Sequence, residues 1–450
     1  GLIIGVSGTL TQEKIKRNNL DQSENYIFKT TILSSRMKNN IKNIFTNSLP
    51  SEVEHSFIQI KNESQILDIQ ESDVYVVFPL EPMIDRYLHA LYAHNKPIII
   101  MPLPYSEIFS YGNVFYPYFM RDSREIDDML NIYHKVFLCK DKKDLSETLT
   151  ALNVKYKINN SRVLCIGEPM YEPFHSCDWG YAVIRKIQEK FGLSWIQMSS
   201  QSLIEHWKSW KGKIDIKDII ESVGKNYLPK DRKIEDVKKI YLILKSLIEK
   251  KKANAFTINC LASIIHTNLK VTPCYALSRL NDEGTVSACE ADATTLLNML
   301  ITVYSAQAPG FMVNPYLFPE DNRLFVSHCT SPRLHSYKEK KKDDYNIYSY
   351  FEYPNLSFGL QVLKNPGVVT ITGLSHNTLD KMLITKGKIV RNTNFATCRT
   401  QIELEVEGEI KEIAENYQGR HWILVYGDHT NIIERTNKMF GLKSIVYNRK

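Results

Sequence analysis

The feature that most constrains the fold is a change in hydrophobic pattern along the 450 residues. From the N-terminus to Met198, short apolar runs alternate with amphipathic stretches at helical spacing. Such alternation is typical of a parallel sheet covered by helices. From Gly367 onward the runs are short, β-branched or alternating, and glycine-containing turns separate them, which favours an antiparallel sheet or a small barrel. The chain is therefore predicted to be an α/β protein with a β-rich C-terminal part.

Individual elements follow from the same patterns. A strand over Ser161–Gly167 opens a second α/β unit, and Asn159 and Asn160 mark the join before it. The apolar face of Ile234–Lys251 predicts a long helix. The other predicted strands are Leu2–Val6, Asp73–Pro79, Pro97–Leu103, Lys135–Leu138, Leu193–Met198, Val368–Ile371, Lys381–Ile384, Gln401–Val406 and His421–Tyr426, and the other predicted helices are Pro82–His94, Trp179–Phe191 and Thr430–Phe440.

Composition narrows the class of protein. With 43% hydrophobic and 24% charged residues the chain has the make-up of a soluble globular protein, and its length fits two or three domains. The longest apolar runs are too short to span a bilayer, so we expect no membrane segment. The eight cysteines form no C-x-x-C pair, which predicts reduced, buried thiols. The first apolar run, Leu2–Val6, has no basic leader or signal-peptide cleavage site, so we expect a cytoplasmic protein. The net charge of +7 comes partly from scattered lysine runs without interleaved aromatics, so no nucleic-acid partner is expected.

Polar residues that carry chemistry concentrate between Thr272 and Ser331. Glu290 and Asp292 stand at the start of an apolar helix, and His328 ends an apolar strand. Taken alone, each has a structural interpretation. Carboxylates at a helix N-terminus interact favourably with the helix dipole, and a histidine between apolar residues is more often a hydrogen-bonded core residue than a ligand.

Two stretches, Asp282–Thr330 and Gly419–Val425, together resemble the L-fucose isomerase and L-arabinose isomerase superfamily, and especially its divergent fucose-isomerase-like members. In that superfamily a glutamate opens a helix, as Glu290 does here. His328, in a Ser-His-Cys context, resembles the histidine that arabinose isomerases add, and His421, in Gly-Arg-His-Trp, resembles the C-terminal metal histidine.

The resemblance implies a fold of two doubly wound α/β domains followed by a β-rich C-terminal domain, divided as 1–158, 159–335 and 336–450. It also implies an intramolecular oxidoreductase that interconverts aldoses and ketoses through an enediolate, with a small carbohydrate as substrate. The expected cofactor is Mn²⁺ or another divalent cation, and the expected assembly is a homo-oligomer, a trimer or hexamer. The site residues it implies are Glu290, Asn314 and Asp292 for catalysis, Glu290, His328 and His421 for the metal, and Arg279, Asn281 and Ser327 for the substrate.

One position departs from the superfamily pattern. Where the isomerases carry a metal-binding Asp or Glu, this sequence has Asn314. An amide can offer its carbonyl oxygen to a divalent cation, but it brings no charge and cannot serve as a general base. Two alternatives therefore stand beside the isomerase: a carbohydrate-binding or regulatory protein that does not isomerise its ligand, and another enzyme that proceeds through an enediolate.

Overall fold

The structure is a computed structural model, and it describes fourteen stretches of the chain. The predicted helix over Pro82–His94 lies outside them except for Leu91. The described residues are 3–6, 57–60, 74–77, 91, 96–100, 136–139, 141–169, 177–228, 234–260, 269, 271–339, 341–351, 357–376 and 378–447.

The chain divides into two compact units, Gly1–Thr150 and Ala151–Lys450. In the first unit the described strands are short and parallel: β1 pairs with β2, and β3, β4 and β5 form a three-stranded sheet. Four of them, β1, β3, β4 and β5, lie within predicted strands, whereas β2 was not predicted. These strands are β1 Ile3–Val6, β2 Phe57–Ile60, β3 Tyr75–Val77, β4 Ile98–Ile100 and β5 Val136–Leu138, and helix α1, Lys142–Asn159, runs from the first unit into the second.

The second unit begins with a parallel sheet. Its elements are β6 Arg162–Ile166, α2 Cys177–Phe191, β7 Ser194–Met198, α3 Ser200–Ser209, α4 Lys217–Ser222, α5 Ile234–Lys250, β8 Ala255–Ile258, α6 Cys274–Asp282 and β9 Val286–Cys289. The strands stand in the order β7-β6-β8-β9. Because the chain first adds a strand on one side of β6 and then continues on the other, the order reverses between β6 and β8. Ligand sites of open α/β sheets lie outside the carboxyl ends of the strands at such a reversal.

The rest of the unit is rich in β structure. Its elements are helix α7 Ala293–Ala306, β10 Phe311–Phe318, β11 Arg323–His328, β12 Asp344–Ser349, β13 Ser357–Leu363, β14 Val368–Leu374, β15 Lys381–Asn392, β16 Thr400–Val406, α8 Ile410–Glu415, β17 Trp422–Tyr426, α9 Thr430–Met439 and β18 Lys443–Tyr447. Six strands pair in the order β14-β17-β10-β11-β16-β15, and β15 pairs again with β14, so this sheet closes on itself. Strand β18 adds parallel to β15, and β12 and β13 form a separate hairpin.

Alternation along the ring strands divides their side chains between two cores. Val313, Val326 and Leu424 belong to a buried cluster that α8 also joins through Ile410. Neighbouring residues such as Met312 belong instead to the large core of the parallel sheet and α7. Every α7 residue except Tyr304 is buried, as expected of a helix enclosed on all sides. Helix α7 is thus the element through which the parallel and the closed sheet share a core.

Strands β10 and β11 precede residue 335, yet they pair in the ring with strands that follow it. The closed sheet therefore draws on both of the last two predicted domains, and the three-domain division stays a prediction. Within the described part of the chain, no helix combines the length and apolar character that crossing a membrane requires.

Candidate functional site

Glu290 follows directly on β9, at the carboxyl end of the parallel sheet. Its φ is 62° and that of Ala291 is 51°, so two consecutive residues with side chains adopt the left-handed conformation. Such a backbone costs roughly 1–2 kcal/mol per residue, and residues of this kind cluster at functional sites. The turn is held by hydrogen bonds from the Ala291 amide to the Ile258 carbonyl (3.0 Å) and from the Asp292 amide to the Cys289 carbonyl (3.3 Å).

Two histidines from the closed sheet meet the Glu290 carboxylate. His328 is the last residue of β11, and His421 immediately precedes β17. Nε2 of His328 lies 3.5 Å from Oε1 of Glu290, and Nε2 of His421 lies 3.5 Å from Oε2. One ligand atom from each of the three residues lies within 4.8 Å of the other two. The structure thus brings together residues that the sequence places on three separate elements.

The other nitrogen of each imidazole also has a partner. Nδ1 of His421 lies 2.9 Å from Oδ2 of Asp292, and Nδ1 of His328 lies 3.0 Å from the Thr330 hydroxyl. An ionised carboxylate only accepts, so Nδ1–H of His421 donates to Asp292, and Nε2 is the ring nitrogen that faces Glu290. Nε2 of His421 is buried and has no hydrogen-bond partner among the described residues. A buried imidazole nitrogen of this kind is a typical ligand of a metal ion.

Asp292 also begins helix α7. Its Oδ1 accepts from the Thr295 amide (2.9 Å) as an N-cap, and its Oδ2 accepts from the Thr295 hydroxyl (2.6 Å). A regular helix would direct residues 290 and 292 to different faces. Here the left-handed turn before α7 allows Glu290 and Asp292 to reach opposite sides of the same imidazole, that of His421.

Electrostatics keep both carboxylates ionised. Burial by itself would raise the pKa of Glu290, but His421, His328 and Arg420 outweigh it and lower the pKa to about 2. The pKa of Asp292 is lowered as well: burial opposes the shift, and the hydrogen bond with His421 dominates it. Burial would lower the pKa of His421, but the two carboxylates raise it above the ordinary value. In the absence of a cation, the site therefore attracts positive charge.

The remaining predicted site residues lie outside this cluster. Asn314 is opposite Ser327 in the β10–β11 ladder, and the Ser327 hydroxyl is buried without a hydrogen-bond partner in the described part of the chain. Asn281 is buried, and its side-chain amide donates hydrogen bonds to the carbonyls of Leu277 and Ser287. Arg279 forms an ion pair with Glu283 one turn along α6 (3.2 Å). Asn281 thus has structural hydrogen bonds, whereas Ser327 directly precedes His328 on β11 and Asn314 lies opposite Ser327 on β10.

The sequence did not reveal that Thr330 contacts His328, or that Asp292 supports the His421 ring. The N-cap of helix α7 could have been predicted, because Asp292 stands three residues before Thr295 at the start of an apolar run. No sequence signal marks Thr330, since a threonine two residues after a histidine is common in strands and loops. Its role depends on how the chain turns after β11.

Comparison with known proteins gives a partial likeness. No family model matches the chain. A stretch of 207 residues is 25% identical to a sulfoquinovose isomerase of Alkalicoccus urumqiensis, covering 44% of this chain and 45% of that protein. Sulfoquinovose isomerases of Priestia aryabhattai and Priestia megaterium are 24% identical over 213 residues, which is 45% of this chain and 46% of theirs. The match spans about half the length of these relatives. Part of the chain is thus similar to sugar isomerases, without pointing to fucose isomerases in particular.

Proposed function

We propose that the protein is a metal-dependent sugar isomerase that interconverts an aldose and a ketose. The observation that carries the proposal is the convergence of Glu290, His328 and His421, with Nε2 of both imidazoles 3.5 Å from the carboxylate. The partial likeness to sulfoquinovose isomerases supports the same class of reaction.

The three side chains fit a divalent cation. Ligand atoms roughly 2.0–2.6 Å from a shared ion lie up to about 5 Å from one another, and these lie within 4.8 Å. A carboxylate with two neutral imidazoles suits Mn²⁺ and other first-row divalent ions. The Asp292 carboxylate behind His421 matches the support that metal-binding histidines have in proteins. We therefore propose Mn²⁺ or a related cation as cofactor.

Aldose–ketose exchange moves a proton between C1 and C2 and places negative charge on the two neighbouring oxygens. A bound divalent cation would supply the Lewis-acid stabilisation of those oxygens. Glu290 is ionised at neutral pH and so can hold the cation, whereas its lowered pKa makes it a weak proton acceptor. Asn314 cannot exchange a proton and would contribute at most a carbonyl oxygen or a hydrogen bond. Asp292 already accepts hydrogen bonds from His421 and Thr295, so we assign it to the support of the His421 ring and not to proton transfer.

A small carbohydrate is the proposed substrate. Sulfoquinovose is the first candidate because the curated relatives bear its name, and L-fucose and L-arabinose follow from the superfamily resemblance. One observation favours a second candidate function, a carbohydrate-binding protein without isomerase activity. Asn314 stands where the isomerases have an acidic residue. Replacing that acid by an amide removes a charge from the site and leaves the other groups in place.

The test combines metal analysis with a sugar panel. Purified protein would be analysed for bound Mn²⁺, then incubated with Mn²⁺ and each sugar while NMR follows ketose formation. Glu290→Gln removes the ligand charge with little change of shape, and Glu189→Gln, on the exposed face of α2, is the matched control. We expect isomerisation in the wild type and the control and none in Glu290→Gln. Sugar binding without ketose formation would support the binding protein, and neither metal nor sugar binding would refute both.

A further inference from the structure

Both histidines of the candidate site present the same ring nitrogen to Glu290. Nε2 of each lies 3.5 Å from a carboxylate oxygen, and Nδ1 of each has a polar partner behind it. For His421 that partner is Asp292, whereas for His328 it is the hydroxyl of Thr330 at 3.0 Å. Thr330 is buried, with 1% of its surface exposed. Its hydroxyl is therefore shielded from bulk water and directed at the ring.

We propose that Thr330 is a positioning residue that holds the ring orientation of His328. The inference rests on the proposed function, because it assigns Nε2 of His328 to the metal. For Nε2 to offer a lone pair, Nδ1 must carry the proton, and the Thr330 hydroxyl then accepts the hydrogen bond from Nδ1–H. Partners of this kind hold metal-binding histidines in place, and their loss commonly weakens metal binding or activity by about 10–100-fold.

The segment that follows Thr330 is anchored firmly enough for this task. The Ser278 hydroxyl donates to the Ser331 carbonyl (2.6 Å), and the buried Lys364 ammonium donates to the Pro332 carbonyl (2.7 Å). Asp282 accepts from the next two backbone amides, those of residues 333 and 334, at 2.9 and 2.8 Å. Helix α6 and Lys364 thus fix the backbone on the far side of Thr330, while β11 fixes it on the His328 side. A support held at both ends restricts the ring more than a mobile hydroxyl would.

A substitution at Thr330 tests the positioning of a histidine separately from other structural roles. Asp292 both supports His421 and caps α7, so its substitution changes two properties at once. The Thr330 hydroxyl has the His328 ring as its hydrogen-bond partner within the described part of the chain. Removing that hydroxyl should therefore act on the histidine first.

The experiment compares Thr330→Val, which loses the hydroxyl at nearly constant shape, with Thr330→Ser, which keeps it. Thr302→Val is the matched control, since that buried hydroxyl bonds Thr372 (2.8 Å) on the ring strand β14 and not a site histidine. Calorimetry would give the affinity for Mn²⁺, Co²⁺ absorption would report the ligand geometry, and circular dichroism would check the fold. Thr330→Ala serves if the valine variant does not fold.

We expect Thr330→Val to bind Mn²⁺ about 10–100-fold more weakly and to shift the Co²⁺ spectrum, with Thr330→Ser and Thr302→Val close to the wild type. A purely structural role would lower the melting temperature of both valine variants and leave the Co²⁺ spectrum alone. If the wild type binds Mn²⁺ and Thr330→Val binds it as tightly, this inference fails and the proposed function stands. If the wild type binds no divalent metal, the proposed function fails and takes this inference with it.

Discussion

Asn314 occupies a central place in the sheet that carries the histidines. Strand β10 lies between β17 and β11, and in its ladder with β17 the residue before Asn314 is opposite Trp422, the residue that follows His421. On the other side Asn314 is opposite Ser327, which precedes His328. Its side chain is half-buried and forms no hydrogen bond with another described residue. A charge placed here would be introduced next to the strand positions of both histidines.

Asn314→Asp tests what this amide does. If the site binds a divalent cation and residue 314 is one of its ligands, the added carboxylate should tighten Mn²⁺ binding by about tenfold or more, because charge attraction at ion-contact distance remains worth more than 1 kcal/mol even with strong screening. Titration calorimetry measures the change, and Asn416→Asp, at the exposed end of α8, controls for overall charge. A lower melting temperature with no metal binding in either protein would argue that the pocket serves another ligand, since the new carboxylate would then repel Glu290.

At the level of residues, the sequence predicted which side chains meet but not how. Glu290, His328 and His421 were recognisable through the resemblance to the isomerase superfamily, because the residue patterns alone favoured structural interpretations. The left-handed turn at Glu290 and Ala291 was not predictable, because neither is a residue that favours this conformation. The bonds from Ala291 and Asp292 to the neighbouring strand ends impose it, and these exist only after the sheet has formed.

Helix α7 begins at a residue with two structural tasks, and substitution can separate them. Asp292→Asn keeps an oxygen for the Thr295 amide but removes the charge that holds His421, so we expect weaker Mn²⁺ binding and a smaller loss of stability than in Asp292→Ala. Asp292→Ala loses the cap as well and should lower the free energy of unfolding by about 0.5–2 kcal/mol. Urea unfolding and metal titration of both variants measure the two effects. Equal metal affinity in wild type and Asp292→Asn would show that His421 does not depend on this carboxylate.

A buried ion pair closes the open end of the hairpin, between the residue before β12 and Lys364, the residue after β13. Asp343, just before β12, contacts the Lys364 ammonium (3.1 Å) and the His335 ring (2.7 Å), and both members of the ion pair are almost fully buried. Burial by itself would raise the pKa of Asp343, but Lys364 and His335 lower it below the ordinary value. A carboxyl with a lowered pKa stabilises the fold above its unfolded pKa of about 3.9, and that contribution is lost as pH falls towards the folded value.

Asp343→Asn should therefore be costly at neutral pH and less so in acid. It leaves Lys364 buried without its counter-charge, which typically costs about 3–5 kcal/mol of unfolding free energy. The difference from the wild type should shrink as the pH falls below about 4, because Asp343 of the unfolded chain then takes up a proton while the folded one is still charged. Urea unfolding at pH 7 and at pH 3 measures this, with the exposed neighbour in Asp344→Asn as control. A pH-independent difference would assign the loss to packing alone.

Elements of the fold were predictable where one face of a segment decides its structure. The helices α2, α5 and α9 and the strands β6 and β7 agree with their hydrophobic patterns to within about two residues. Closure of the ring was not predictable, since it depends on β15, a twelve-residue strand that pairs with β14 on one edge and β16 on the other. Pairing between distant strands leaves no local signal that would distinguish an open sheet from a closed one.

Assembly of the whole molecule is a prediction from the superfamily resemblance. We expect a homo-oligomer, a trimer or hexamer, so light scattering after size exclusion should give a mass near three or six times the 52.1 kDa of the chain. The measurement should be made at micromolar concentration with and without Mn²⁺, since ligand binding and assembly can be linked. A mass near that of a single chain under both conditions would contradict it.

A bound cation should also stabilise the second unit as a whole. Its proposed ligands come from the end of the parallel sheet, through Glu290, and from two strands of the closed sheet, through His328 and His421. Unfolding separates these elements, so only the folded chain can offer all three ligands to one ion. At a free concentration 100 times the dissociation constant, such binding adds about 2.7 kcal/mol to the free energy of unfolding. Thermal unfolding should therefore shift up by a few degrees in Mn²⁺ and return on addition of a chelator. Glu290→Gln should show much less of this shift, and an equal shift in that variant would place the bound ion elsewhere.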